Sequence, residues 1–494
     1  MSTSPFDEDP SAEMAQSNTA RHWLVTVLGR GGAHTGQLLA LLILARLLVP
    51  ADFGLLTMVM SVIGVASIFS DLGLSAATIR QPKITHEQVS TLFWINLGFG
   101  ALMTGLASAA APWLARFYAD LRAVPVTLAL AWTFFLGGIG AQHTALLRRR
   151  LKFTALAWIN VLSMGAGQAS AIILALAGYG YWALVSAMLI GTLMNSALAW
   201  LWCNWRPGLP HWDAQIRSMI SFGGYLVVFT LLGFAAQNVP NVLNGRLWGA
   251  AAVGYYSRAF VLLTLLLNYI VDPLNLIAPA ALSRLLDDAV AYRNYYLKTV
   301  AMMLFLTAPI GFASFVLADD IIRFVLGPQW NESAGVLRIL ALAVVPQTLC
   351  ATSGWLYMSH GDSRTMMKWG VGGWGMLIAC LVAGAPFGIR GMALAYTLGM
   401  LVLLYPCMKM AFKRTTLKFS DLFRVVWPGV LAAALAALAT WTLANALRDV
   451  VLALRLSACL ALYALVYFVL LTVVFRQGTV FVEMWQQLRY RRSA

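Results

Sequence analysis

From near residue 22 to near residue 476 the chain is a succession of apolar runs separated by short polar loops. Each run is close to the ~20 residues that carry a helix across a bilayer. No segment alternates apolar and polar residues with the period of a strand. In hydrocarbon the backbone must satisfy its own hydrogen bonds, so the runs are helices. They fall at 22–45, 54–78, 90–114, 124–147, 154–177, 181–203, 218–243, 252–277, 298–318, 334–358, 367–386, 390–412, 425–447 and 455–475. The seventh is the least apolar, with Gln237, Asn238, Pro240 and Asn241 in its second half. The pattern predicts an all-α integral membrane protein of about fourteen transmembrane helices.

Composition adds little to that picture. Hydrophobic residues make up 60% of the chain, charged residues 11%, and mean hydropathy is +0.76. No soluble fold of this length could hide so much apolar surface. Charge adds more. A net charge of +15 invites nucleic acid, but nucleic-acid binders gather Lys and Arg on one soluble face. Here they punctuate the loops, and no nucleic-acid partner is expected. An even number of spans puts both termini on one side. If that side is cytoplasmic, it receives 23 of the 34 Lys and Arg, including all seven Lys, as the positive-inside rule requires.

Residues 1–20 are polar, with Asp7, Glu8, Asp9 and Glu13, and read as a disordered cytoplasmic tail. The first apolar run carries Arg30 and His34 and lacks a small-residue cleavage site, so it reads as a retained span. The five cysteines are scattered, with neither metal spacing nor a disulfide framework. No metal or cofactor is expected.

Two segments 200 residues apart repeat each other. Arg46, Leu47, Ala51 and Gly54 in RLLVPADFG share offsets with Arg246, Leu247, Ala251 and Gly254 in RLWGAAAVG. Asp71 and Asp272 follow at nearly equal distance, and Gly178, Ala183 and Leu184 match Gly388, Ala393 and Leu394. Six spans followed by six more, both sets starting inside, make a parallel repeat with its axis along the membrane normal. The expected organisation is an N-lobe at 21–205, a cytoplasmic linker at 206–217 and a C-lobe at 218–413. Helices thirteen and fourteen occupy 414–476, and a basic cytoplasmic tail 477–494.

LARLLVPADFGLL (44–56), FSDLGLSAATIRQ (69–81), STLFWINLGFG (90–100) and GYYSRAF (254–260) resemble bacterial polysaccharide exporters. These are the Wzx-type oligosaccharide flippases of the multidrug/oligosaccharidyl-lipid/polysaccharide (MOP) superfamily. The resemblance implies two six-helix lobes around a central cavity that works by alternating access. It also implies a polyprenyl-diphosphate-linked oligosaccharide as cargo, moved from the cytoplasmic to the periplasmic leaflet of the inner membrane, with a polymerase and glycosyltransferases as pathway partners.

Charges within a span are costly and face protein or a wet cavity. Arg30, His34 and Gln37 lie at i, i+4 and i+7, hence on one helical face. That face could present a cation and donors to a lipid diphosphate, since an Arg fork suits phosphate oxygens; alternatively Arg30 snorkels to the inner interface. Gln237 and Asn241, with Pro240, suggest a locally broken, cavity-lining segment, or hydrogen bonds between helices. Arg258 is a further cavity cation or an outward-snorkelling side chain. Asp71 and Asp272 are candidate gate or ion-coupling residues, or structural partners of nearby Arg. Two rivals remain. A multidrug or cation antiporter of the same superfamily would favour several intramembrane carboxylates, and only these two are available. A membrane polymerase or glycosyltransferase would need a catalytic loop. The longest outer loop, near 319–333, offers Asp319, Asp320, Arg323 and Glu332, which read as a helix-end cluster.

Overall fold

The computed structural model describes residues 39–70, 84–211 and 214–475, together with Gly36 and Thr78, and the backbone alone at 67–70, 214–230, 232 and 363. Among these residues all regular structure is helical. The end of the first span is α1 (Leu39–Leu47), and a bend of 116° leads to α2 (Pro50–Ser70). Then come α3 (His86–Tyr118), α4 (Ala123–Arg149), α5 (Phe153–Leu176) and α6 (Tyr181–Trp202). A helical stretch of 70 residues follows, parted at Gly249 into α7 (214–248) and α8 (250–283). Next are α9 (Ala289–Val316), α10 (Ala318–Val325), α11 (Asn331–Ala341) and α12 (Val344–Ser359). The last four are α13 (Ser363–Gly384), α14 (Gly388–Phe412), α15 (Phe419–Ala446) and α16 (Leu452–Val469). Helix α10 is too short to cross, and α11 with α12 forms one span bent by 54°. With α1 taken as the end of the first predicted span, and with α7, α8, α13 and α14 counted separately, the described helices agree with the fourteen spans expected.

Two local features depart from the sequence reading. The helix is not broken at Pro240: between 214 and 283 the one residue with non-helical dihedrals is Gly249, at φ 80° and ψ −179°. A proline forfeits one backbone bond, which a membrane helix packed on its neighbours tolerates. A positive φ is open to glycine at no steric cost, so the chain turns there. Span ten, expected to be continuous, is broken between Ala341 and Val344. Pro346 has no N–H to offer the Leu342 carbonyl, and Leu342 and Ala343 tighten instead onto the carbonyls of Ile339 and Leu340.

The chain forms two compact units, which divide between Gly254 and Tyr255. In the first, Leu55, Met58, Leu114, Val126 and Leu130 are buried where α2, α3 and α4 pack together. At the other end of this unit the segment after α6 doubles back onto α3. Trp205 Nε1 donates to His86 Nδ1 at 3.0 Å, Trp94 Nε1 to the Gly208 carbonyl at 2.9 Å, and the Gly208 amide to Ser90 Oγ at 2.9 Å. Thr91 Oγ1 both donates to the His211 carbonyl and accepts from its amide, each at 2.8 Å. Arg206 covers the Trp200 ring at 5.3 Å. In the second unit the core holds Tyr296, Val300, Met303, Trp355 and Met408. Two of its tyrosines are paired there, Tyr296 with Thr352 and Tyr292 with Ser359, each at 2.8 Å. Buried alanines on α15, among them Ala432, Ala433 and Ala436, admit Tyr463 and Tyr467 of α16. Tyr467 donates to the Phe305 carbonyl at 2.9 Å.

Candidate functional site

Within the first unit α7 runs antiparallel along α2 and the first turn of α8 meets the start of α2, and the seam is cut close. A β-carbon on Gly54 would collide with the carbonyl of Ala250, and one on Gly254 with the carbonyl of Pro50. Positions 50 and 54 are the repeat equivalents of 250 and 254, so each half of the contact is the image of the other. Self-complementary pairing of this kind is what a two-fold axis produces. Further along the seam Met58 and Tyr118 close over Gly245, and the Phe234 ring closes over Gly64. Between them Ser61 Oγ donates to Asn238 Oδ1 at 3.0 Å. Asp52, in the first turn of α2, accepts from the Val49 amide at 3.4 Å, and a β-carbon on Gly180 would lie 3.5 Å from its Oδ1. It thereby braces the entry of α6. In the neighbouring loop the Arg122 fork, 2.8 Å away, holds the Asp120 carboxyl below the usual carboxylate range.

The polar positions singled out in the sequence are distributed as follows. Arg30, His34, Gln37 and Asp71 lie outside the described residues. Gln237, exposed, and Asn241, half-buried, sit one turn apart on α7. Asn244 continues the same face and is fully buried, its amide without a hydrogen-bond partner among the described residues. In the second unit Arg258 and Asp272 both lie on α8, fourteen residues apart and hence on nearly the same face, about 21 Å along the axis. Arg258 is half-buried beside Tyr256 and Phe260, whose rings stack at 6.3 Å. Asp272 is exposed and makes no ion pair with a described residue.

Several polar side chains went unread in the sequence. Asn238, next to Gln237, is the one that ties α7 to α2. Asn96, Gln142 and His143 are fully buried between α3 and α4, with His143 stacked on Trp200 at 4.4 Å. Thr78 Oγ1 donates to Gln142 Oε1 at 2.9 Å. Asn195 and Arg148 line a cavity between α4 and α6. All but Arg148 are amides or a histidine inside apolar runs, and the cost of burying them in lipid was the signal available.

Among solved structures, the fold is similar to the lipid II flippase MurJ in its inward closed conformation. The TM-score is 0.75 at 14% identity, over 92% of this chain and all of that one. An inward-facing multidrug resistance MATE family transporter of the MOP superfamily matches at 0.62 and 14%, over 78% of this chain and 96% of that one. The molecule is thus a multi-pass membrane protein with the fold of these transporters. Residues 43–335 match the family described as polysaccharide biosynthesis protein, and the chain belongs to that family. It is 24% identical to the lipopolysaccharide biosynthesis protein WzxC of Escherichia coli strain K12, over 76% of this chain and 75% of the relative. It is 26% identical to the teichuronic acid biosynthesis protein TuaB of Bacillus subtilis strain 168, over 62% and 64%. The succinoglycan biosynthesis transport protein ExoT of Rhizobium meliloti strain 1021 is 24% identical over 70% of each.

Proposed function

We propose that this protein is a flippase that carries a polyprenyl-diphosphate-linked oligosaccharide from the cytoplasmic to the periplasmic leaflet of a bacterial inner membrane, for assembly of a surface polysaccharide. The observation that carries the reading is the match of residues 43–335 to the polysaccharide biosynthesis protein family, on a fourteen-helix transporter fold. Both termini face the cytoplasm, the side that the lysines mark. Two six-helix lobes, 21–205 and 218–413, alternate access to a central path. A polymerase and glycosyltransferases act before and after it. The protein itself transports and catalyses no bond making.

A diphosphate crosses hydrocarbon only along a wet, cationic path. On this reading Arg30, His34 and Gln37 meet the head group on one helical face, Gln237 and Asn241 offer amides from α7, and Arg258 supplies a second cation. Asp71 and Asp272 gate the path or bind a coupling ion. The test uses vesicles containing the purified protein and a fluorescent polyprenyl-diphosphate saccharide, with transfer between leaflets followed by quenching from outside. Wild type transfers the probe. Arg30→Ala, inserted at normal levels, stops transfer, and Arg30→Lys restores part of it, because Lys keeps the charge and loses the fork. No transfer by wild type would overturn the function, and wild-type rates from Arg30→Ala would remove Arg30 from it.

A further inference from the structure

Helices α4 and α6 pack closely in their second halves, where Ser196 Oγ donates to the Leu136 carbonyl at 2.6 Å and Trp200 Nε1 to the Ile139 carbonyl at 2.9 Å. Along one side of that contact they leave a groove of about 460 Å³, a size typical of small-ligand sites. Arg148 stands at its mouth, on the side marked by Arg148, Arg149, Arg150 and Lys152. Thr144 lies one turn deeper on α4, and Asn195 and Thr192 face it from α6. Gly137 and Gly191 form the far end. From Arg148 to Gly137 is about 16 Å along the helix, roughly half of a ~30 Å hydrocarbon core. The groove therefore runs from the aqueous edge to the middle of the bilayer. It is open there: a β-carbon built on Gly137 meets no atom within 4 Å.

The lining chemistry is specific. Thr144 and Thr192 commit their protons to their own helix, at 3.1 Å to the Gly140 carbonyl and 2.8 Å to the Met188 carbonyl, which leaves their oxygens as acceptors. The Asn195 amide and the Arg148 guanidinium bond to no described side chain or carbonyl. No carboxylate is among the described residues that line the groove. An amide left bare at this depth in lipid is costly, so the groove holds water or a polar ligand. One cation at the mouth, followed by an amide and hydroxyls, complements a molecule with an anion at one end and hydroxyls beyond it. Such a molecule is a sugar joined to phosphate. An ordinary phospholipid would offer only acyl chain to the inner half, where Asn195 and Thr192 sit.

We infer that this groove receives the glycosyl end of the lipid-linked cargo, with Arg148 on a phosphate oxygen and Asn195 and Thr144 on sugar hydroxyls. The inference rests on the flippase reading above. The groove is a sugar-reading subsite of the first unit, built from residues of α4 and α6. It gives the protein a means to discriminate among saccharides on one carrier lipid.

The experiment measures binding of two probes to the full-length protein in nanodiscs: a farnesyl-diphosphate-linked hexose and bare farnesyl diphosphate. Gly137→Leu puts bulk into the groove from a position whose β-carbon meets no atom within 4 Å, and its thermal midpoint is checked against wild type; Asn195→Leu and Arg148→Gln remove the polar contacts. Gly137→Leu and Asn195→Leu should weaken the glycosylated probe roughly three- to tenfold, the worth of one or two hydrogen bonds, and leave the bare diphosphate unchanged. Arg148→Gln should weaken both. Unchanged binding of the hexose probe to Gly137→Leu, or equal losses for both probes, overturns the subsite. So does competition by phosphatidylglycerol as effective as that by the hexose probe, which would make the groove a phospholipid site. Wild type that binds bare diphosphate with no gain from the sugar sinks the subsite and spares the flippase. Wild type that binds neither probe sinks both.

Discussion

Gly54 and Gly254 leave no room for a side chain because each faces a backbone carbonyl of the other's partner segment. Gly54→Ala must push α2 away from the start of α8, with a cost of about 1–3 kcal/mol typical of overpacking. A lower thermal midpoint of the purified protein is the expected outcome. Gly98→Ala, where a β-carbon meets nothing within 4 Å, should hold the midpoint or raise it slightly, since alanine favours a helix by roughly 0.5–1 kcal/mol over glycine. Equal midpoints for Gly54→Ala and wild type would mean that the seam is looser than described. The shared offset of these glycines was legible in the sequence, because a duplicated segment keeps its spacing. That the two touch was not, because spacing along a chain carries no information about which faces meet. Asp52 shows the same limit: it lies inside the repeated segment, yet its position against Gly180 depends on the 127 residues of fold between them.

At the level of elements, lipid makes the spans readable by demanding long apolar runs, and it says nothing of what lies at its edges. The segment 319–333 read as a helix-end cluster; it folds into α10, a helix of 8 residues with Ala318, Asp320 and Ile322 buried. Two arginines from distant helices hold it. Arg455 of α16 pairs with Asp320 where both side chains are mostly covered, and Arg338 of α11 pairs with Asp319 where both are exposed. The difference in burial sets different costs. Asp320→Ala strands a largely buried guanidinium and should destabilise by about 3–5 kcal/mol, and adding Arg455→Met should recover most of that loss. Asp319→Ala should cost no more than about 1 kcal/mol. Melting curves of the four proteins decide it, and a double variant no more stable than Asp320→Ala would show that the ion pair does not set the cost. Span ten was misread for a related reason: Pro346 sits four residues beyond the break it causes, too far along to look like a stop signal.

For the molecule as a whole, the number of crossings was legible in hydropathy, because a bilayer fixes length, and the distribution of lysine predicts the orientation. Reporter fusions after residues 152, 298 and 418 should report cytoplasm, and fusions near 120, 180 and 328 periplasm; one clear reversal would break the scheme. Carrying about two negative charges out of a negative interior releases roughly 2.3 kcal/mol per charge per 100 mV. Transfer in vesicles should therefore quicken when the starting side is made negative, and indifference to potential would point to electroneutral coupling. Polar residues of the site were only half legible: the cost of an amide in lipid flags it wherever it stands, but cannot separate Asn238, which ties two helices, from Asn195, which lines open space. The strap after α6 bears on how the protein is made. Its partners on α3, from His86 to Trp94, are synthesised more than a hundred residues before it. Once His211 leaves the ribosome the first six helices can close on themselves, before α7 exists. The tight seam of α7 and the first turn of α8 against α2 is then the last to form, fitted by translation order into a frame already built.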